Sequence, residues 1–240
     1  YEKAEERPEI FHCTPPFYVE TGAKRKNSSL PSFGKAAAMT LVDMAKENDK
    51  IVTVTAAMPS GTGLSRFQAV YPDRMIDVGI AEEHAVTMCA GMAAGGMRPY
   101  FAVYASFFQR SYDQMIHDVC MQKLPVCFLL DRAGLVGEDG ATHHGVFDLA
   151  SMLPIPNMTV LAPRDLQELG LMVRWTERMD GPCAIRYGKH SVDMRETYPC
   201  REFTPGKWEL MEDGPDAALL AVGSMVESAL EMRELLAKHH

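Results

Sequence analysis

The stretch DVGIAEEHAVTMCAGMAA, Asp77 to Ala94, decides the fold. An apolar strand ends near Val78, Gly79 permits a tight turn, and from Ala81 the apolar positions Ala85, Val86, Cys89 and Met92 fall at helical spacing. A strand therefore feeds straight into a helix, with Glu82 and Glu83 in its first turn. Open α/β sheets keep their ligands in the crevice beyond the carboxyl ends of the strands, and Glu82 stands at such a place. The macrodipole favours acidic residues in the first turn of any helix, so this motif alone also fits a plain structural role.

Outward from that stretch the same alternation continues in both directions. Ser32 can cap a helix from Phe33 to Lys46 with Ala38, Leu41, Val42 and Ala45 on its buried side, and the β-branched run Ile51 to Thr55 follows as a strand. After the loop MPSGTG come a short helix Leu64 to Tyr71 and a strand Met75 to Val78. Beyond Ala94 the expected elements are strand Tyr100 to Tyr104, helix Phe107 to Met121, strand Val126 to Asp131, strand Thr159 to Ala162, helix Asp165 to Thr176 and strand Cys183 to Arg186. Strands alternating with helices predict an α/β fold, a parallel sheet with helices on both faces. The connection from Arg132 to Pro156 breaks the rhythm at roughly 25 residues, a length that points to a functional loop.

The flanks differ. Residues 1–31 are rich in proline and charge and read as an extended arm or linker. After Pro199, Trp208 to Met211, Ala217 to Val222 and Met225 to Ala237 read as strand, strand, helix, the opening of a second α/β domain that stops before it can bury its faces. The expected organisation is an arm over 1–31, a complete domain over 32–198 and an incomplete one over 199–240, the mark of a truncated or proteolysed piece.

The 240 residues, 47% hydrophobic and 23% charged, suffice for a sizeable core. A formal charge of -8, with no basic run longer than AKRKN at Ala23 to Asn27, argues against a nucleic-acid-binding surface and favours small molecules or proteins as partners. No apolar run is long enough to span a membrane, and the N-terminus is polar. The six cysteines show no CxxC and no metal-ligand spacing; several sit in apolar runs, which fits a reducing cytoplasm.

Taken together, DVGIAEEHAV, YASFFQRSYDQMIHDV, LPVCFLLDRAGLVGEDGATHHGVFDLA, GPCAIRYGKH and the opening FHCTPPF resemble the 1-deoxy-D-xylulose-5-phosphate synthases, thiamine-diphosphate enzymes of the transketolase superfamily. The segments cover most of residues 1–190 in family order. The resemblance implies a chain of three domains, of which this sequence holds the pyrimidine-binding one, the arm leading into it and the start of the third. The diphosphate and Mg2+ site of such enzymes is a GDG followed by an Asn; no GDG occurs here, so the resemblance puts those ligands on an N-terminal domain that this sequence lacks.

The resemblance also implies roles. Glu82 matches the glutamate that hydrogen-bonds the cofactor's aminopyrimidine and favours its reactive tautomer. Phe107 matches the ring that packs on the aminopyrimidine face, Ile80 and Met58 match apolar contacts, and Tyr1 a further cofactor contact. The implied substrates are pyruvate and D-glyceraldehyde 3-phosphate. Arg132 and Arg186 match phosphate-binding arginines, whose planar fork suits phosphate oxygens. Tyr104, Arg110, Asp139 and His143 match polar residues of the substrate pocket, and His12 matches a histidine placed to move protons, a task suited to a side chain titrating near neutrality. His84, His117 and His144 are expected to be scaffold or surface. The sequence departs from the pattern at Glu83, where relatives often carry Gln, and at GKH after Tyr187, where Pro-Arg-Gly is common, so the rim near Lys189 differs. A homodimer without synthase activity in isolation is expected. Half of a split transketolase, a β-type subunit of a 2-oxo acid dehydrogenase and a non-catalytic dimerisation module remain as alternatives.

Overall fold

The β-branched run Ile51–Thr55 forms β1, buried along its whole length in the computed structural model, which describes residues 2–6, 12, 17–20, 30–194, 196–200 and 202–238. Around it assemble β2 (Met75–Asp77), β3 (Arg98–Tyr104), β4 (Cys127–Asp131), β5 (Thr159–Leu161) and β6 (Cys183–Arg186). All neighbours are parallel, in the order β2-β1-β3-β4-β6-β5. The order reverses direction at β1, so the carboxyl ends of β1 and β3 flank a topological switch point.

The chain divides into two units, residues 1–31 and 32–240. In the first, Glu2–Glu6 form the short helix α1, and His12 and Phe17 to Glu20 are exposed. In the second, both faces of the sheet are covered, as the alternation of strands and helices predicts. Helices α2 (Phe33–Met44) and, later in the chain, Leu166–Thr176 bury Phe33, Leu41, Leu169 and Val173 against Ile51, Tyr100, Leu129 and Ile185. Between them lies the short α3 (Ser65–Val70). The opposite face takes α4 (Glu82–Ala94) and the helical stretch after β3, with Ala85, Val86, Cys89 and Phe108 packed on Val54, Phe101, Val103 and Phe128. Each fully buried aliphatic or aromatic side chain of this kind contributes roughly 1.5–3 kcal/mol relative to exposure.

Caps set the ends. Ser32 accepts from the Lys35 N–H at 3.3 Å, as its position before the first turn predicts, and Asp165 accepts from the Glu168 N–H at 2.8 Å. The latter cap opens the helix Leu166–Thr176, here α8 after α7 (Asp148–Met152). Gly79 takes a φ of +72° in the turn between β2 and α4, where a side chain would be strained.

Three expectations are corrected. Phe107 to Met121 is not one regular helix: α5 (Ala105–Phe108) starts directly from β3, a 3-10 turn Gln109–Ser111 and α6 (Tyr112–Gln114) follow, and Met115–Cys120 is a π-helix. The buried Ser111 hydroxyl donates to the Phe108 carbonyl at 3.0 Å, a local bond that competes with the regular helix. The connection from Arg132 to Pro156, expected as loop throughout, contains the helix α7, and Gly134 and Gly145 exchange backbone hydrogen bonds of 2.8 and 2.9 Å that close its base. Trp208 to Met211 and Ala217 to Val222 form no strands; Trp208 is 72% and Leu220 77% exposed. Two isolated strands have no apolar face to bury and are marginal alone. The segment is tied back by the buried Arg164, which donates to the Tyr198 carbonyl at 2.8 Å and to Glu209 at 3.1 Å, and α9 (Met225–Leu236) ends it. Cys89, Cys120, Cys127, Cys183 and Cys200 are buried free thiols.

Candidate active site

The carboxyl ends of β1 to β4 bring one chain of contacts together. Asp77, closing β2, accepts from the Ala57 N–H at 2.7 Å and the Gly79 N–H at 3.0 Å, which ties the loop after β1 to the turn before α4. That turn delivers Glu82, only 1% exposed, in the first turn of α4. Its Oε1 is held by Arg110 Nη1 at 2.5 Å, while its buried Oε2 has no hydrogen-bond partner. The Arg110 guanidinium lies 5.1 Å from the centroid of the Phe107 ring.

Phe107 in turn stacks on Tyr104 with ring centroids 5.7 Å apart, and the His143 ring meets both edge-on, at 5.3 Å from Phe107 and 6.2 Å from Tyr104. Tyr104 carries Arg132 on its ring at 4.2 Å. Burial raises the Tyr104 hydroxyl's pKa, with Arg132 opposing. Gly61 makes this arrangement possible, because a Cβ there would meet the Tyr104 hydroxyl at 2.2 Å.

Arg132 occupies the left-handed region, φ +60°, immediately after β4. Asp131 Oδ1 accepts both its backbone N–H at 2.7 Å and its Nη1 at 3.0 Å, and Nη1 also donates to the Gly61 carbonyl at 3.1 Å. Burial pushes the Asp131 carboxyl up to about 6, with Arg132 opposing, and its Oδ2 lies buried and unpartnered. Beneath it Tyr187 is also raised, by its own burial and by the Asp131 charge. The loop after β4 adds Asp139, whose Oδ2 lies 3.5 Å from Arg132 Nε and whose Oδ1 lies 2.6 Å from Lys189 Nζ. Burial works to raise Asp139, but Lys189 and Arg132 outweigh it and hold the carboxyl below its usual range.

Seven expected residues thus form one contact chain: Glu82, Arg110, Phe107, Tyr104, His143, Arg132 and Asp139. The others stand apart. Arg186, at the end of β6 beside β4, donates from Nε to the buried Asp148 at 2.6 Å. Ile80 is 81% exposed beside Glu82, and Met58 packs partly buried against the α4-side core. His12 belongs to the first unit, and Tyr1 lies outside the described residues. His84 is exposed, His117 is exposed and pairs with Asp118, and His144 accepts from the Val136 N–H at 3.1 Å. Asp131, Asp148 and Lys189 are the site partners that sequence reasoning passed over. Of these, Asp131 has a local signal in its place next to Arg132 at a strand end, and Lys189 one in the GKH that follows Tyr187.

Residues 30–194 match the family described as the transketolase pyrimidine binding domain. The chain belongs to that family. Over its whole length this pyrimidine-binding domain chain is 50% identical to the 1-deoxy-D-xylulose-5-phosphate synthase of Clostridium acetobutylicum and 48% identical to that of Pelotomaculum thermopropionicum, spanning 39% and 38% of those proteins. Among solved structures it is similar to a split gene transketolase described as an inactive beta4 tetramer, with a TM-score of 0.78 and 31% identity over 87% of this chain and 68% of that one. Transketolase from Leishmania mexicana, at TM-score 0.57 and 21% identity over 68% of this chain and 26% of that one, shares the fold. No helix among the described residues is long and apolar enough to cross a membrane, and among them no group of His, Cys, Asp and Glu could hold a metal ion.

Proposed function

We propose that the chain is the pyrimidine-binding part of a 1-deoxy-D-xylulose-5-phosphate synthase, a transferase of isoprenoid-precursor biosynthesis. Residues 1–31 serve as the arm into it, 32–198 as the domain and 199–240 as the opening of a third domain. The whole enzyme joins pyruvate, with loss of carbon dioxide, to D-glyceraldehyde 3-phosphate.

One observation carries the reading, the buried Glu82 Oε2 that lacks a partner at the sheet's switch-point crevice. A buried carboxyl oxygen without a partner costs roughly 1–3 kcal/mol or more, a cost relieved by a ligand that offers a hydrogen-bonding ring nitrogen. The residues around it fit an aminopyrimidine. Phe107 offers a half-buried ring face, Ile80 an exposed apolar side chain and Met58 an apolar flank. When bound, thiamine diphosphate supplies the acidic carbon and the electron sink that the reaction needs. Glu82 holds the proton shared with the aminopyrimidine ring nitrogen, with its other oxygen fixed by Arg110. Tyr1 adds a cofactor contact from the arm. Arg132 and Arg186 bind the triose phosphate, Tyr104, Arg110 and Asp139 line its pocket, and His143 and His12 move protons. The diphosphate and Mg2+ belong to a separate N-terminal domain, and the enzyme works as a cytoplasmic homodimer with neither nucleic acid nor membrane as partner.

The 68% coverage of the split gene transketolase favours a second reading, a transketolase subunit whose diphosphate site lies on a partner chain. The test is product formation by the full-length protein supplied with pyruvate and D-glyceraldehyde 3-phosphate, beside Glu82→Gln. The expected result is 1-deoxy-D-xylulose 5-phosphate from the wild type and at least about a hundredfold lower kcat in the variant. Turnover of ketose phosphates with no product from pyruvate would overturn the proposal in favour of the second reading.

A further inference from the structure

The amino edge of the sheet, opposite the candidate site, holds a pair of thiols that no motif accounts for. Cys127 opens β4 and Cys183 opens β6, and the two are direct partners in the register of these adjacent parallel strands. Both side chains belong to the core on the α2 and α8 face of the sheet. Neighbouring strands lie about 4.7–4.9 Å apart, inside the roughly 4.4–6.8 Å that a disulfide requires between its Cα atoms. Both are free thiols, and Cys183 lies within hydrogen-bonding reach of the Cys127 thiol.

Access sets this pair apart from an inert core pair. The two cysteines line a recess with Tyr100, Thr176 and Gly181 that has room for about one water-sized molecule. Cys127 keeps 4% of its surface exposed, against 1% for Cys183. We infer that Cys127 and Cys183 form a dithiol modification site for hydrogen peroxide, in which Cys127 is the attacking thiol and Cys183 the resolving one. The inference does not depend on the functional reading above. The Cys127 sulfur, as thiolate, attacks one peroxide oxygen; the S–O bond forms, the O–O bond breaks, and the departing hydroxide leaves as water with the proton that the thiol gave up. The Cys183 sulfur then attacks the Cys127 sulfur; the S–S bond forms, the S–O bond breaks, and the oxygen leaves as a second water with the Cys183 proton. Two electrons from the sulfur pair thus reduce one peroxide to two waters. Burial, and then the Cys183 neighbour, hold the Cys127 pKa well above its usual range with Thr176 opposing, so the thiolate is scarce and the reaction slow. The recess is too small for a bulky oxidant such as glutathione disulfide. The competing account makes both cysteines core filler that reacts only when the chain unfolds.

The experiment treats the full-length folded protein with millimolar hydrogen peroxide or with glutathione disulfide, blocks the remaining thiols, and maps the peptides by mass. The expected product of peroxide is a Cys127–Cys183 linked pair, lighter by two hydrogen atoms and restored by dithiothreitol, with no linkage or mixed disulfide from glutathione disulfide. In Cys183→Ala, Cys127 should instead gain oxygen and pass to the sulfinic acid, which dithiothreitol does not reverse; in Cys127→Ala, Cys183 should stay reduced. The wild-type map decides the matter even where a variant fails to fold. Two unmodified thiols after peroxide, a sulfinic acid at Cys127 of the wild type, or a link that forms only in urea would overturn the inference.

Discussion

Asp131→Asn should make the protein more stable at neutral pH while weakening its site. Asp131 is 1% exposed at the end of β4, and burial pushes its carboxyl up to about 6 although Arg132 lies beside it. In an unfolded chain an aspartate titrates near ~3.9. The folded value is therefore the higher one, and between the two pH values the folded state binds more protons. From this group, acid stabilises: above about pH 6 the ionised carboxylate costs about 3 kcal/mol, and the cost fades as pH falls through 6 towards 4. Asparagine is uncharged at every pH and keeps a side-chain oxygen to accept the Arg132 N–H. The variant should exceed the wild type at pH 7.5 by up to about 3 kcal/mol, on the order of 6 °C in Tm for a chain of this length, and match it near pH 4. Urea unfolding followed by Trp175 emission measures this, because that indole packs edge-on against Phe203 on the same core. Arg132 loses its charged anchor in the variant, so acceptor KM should rise as stability does. A variant less stable at pH 7.5, or a difference that stays constant from pH 4 to 8, would refute the reasoning.

Gly61→Ala places a methyl group against the Tyr104 hydroxyl and should move the ring from beneath Arg132; a destabilisation of about 1–3 kcal/mol with a raised acceptor KM is expected, and unchanged kinetics would show that Tyr104 does not seat Arg132. Residues 1–240 alone should release no product from pyruvate and D-glyceraldehyde 3-phosphate, as the proposed diphosphate site lies on another domain; measurable turnover by this chain refutes that assignment. Ile80→Ser, at an exposed position, should change stability by less than about 0.5 kcal/mol yet raise the thiamine diphosphate Kd of the full-length enzyme. A Kd equal to wild type would remove Ile80 from the cofactor's contacts.

The sheet was legible because its strands are β-branched or apolar runs between glycine and proline turns, and burial on both faces leaves such runs no other use. Glu82 was legible for a local reason too, the four residues that join β2 to α4. The parts that escaped reading depend on distance along the chain. Nothing near Arg186 announces Asp148, 38 residues away, and nothing near Asp139 announces Lys189, 50 residues away. The stretch after Tyr104 has helical spacing throughout, so its periodicity hides both the turn at Ser111, where the hydroxyl bonds back to the Phe108 carbonyl, and the π-helix Met115–Cys120. The apolar alternation of Trp208 to Val222 reads as strand, but strand formation needs a partner and a face to cover, and neither is visible in a local window.

Several of the chain's costly features fall along the carboxyl edge of the sheet. Among the described residues, non-glycine residues in the left-handed region occur at Ala57, Lys123, Arg132 and Asn157, the first and third just beyond β1 and β4, and buried side-chain polar atoms without hydrogen-bond partners include Glu82 Oε2, Asp131 Oδ2 and Arg132 Nε along that carboxyl edge, besides Thr53 Oγ1, Ser106 Oγ, Gln114 Oε1 and Tyr187 Oη. Each such feature costs on the order of 1–3 kcal/mol. The unpartnered Arg164 Nε and Asp165 Oδ2 after β5 are different, for they face each other at 3.6 Å as an ion pair and the aspartate caps α8. Glu82 Oε2 has no such internal explanation. A ligand that supplies the missing partners must raise stability as it binds. On the proposed function, Arg110 satisfies one oxygen of Glu82 and the partner of the other, Oε2, comes from outside the chain.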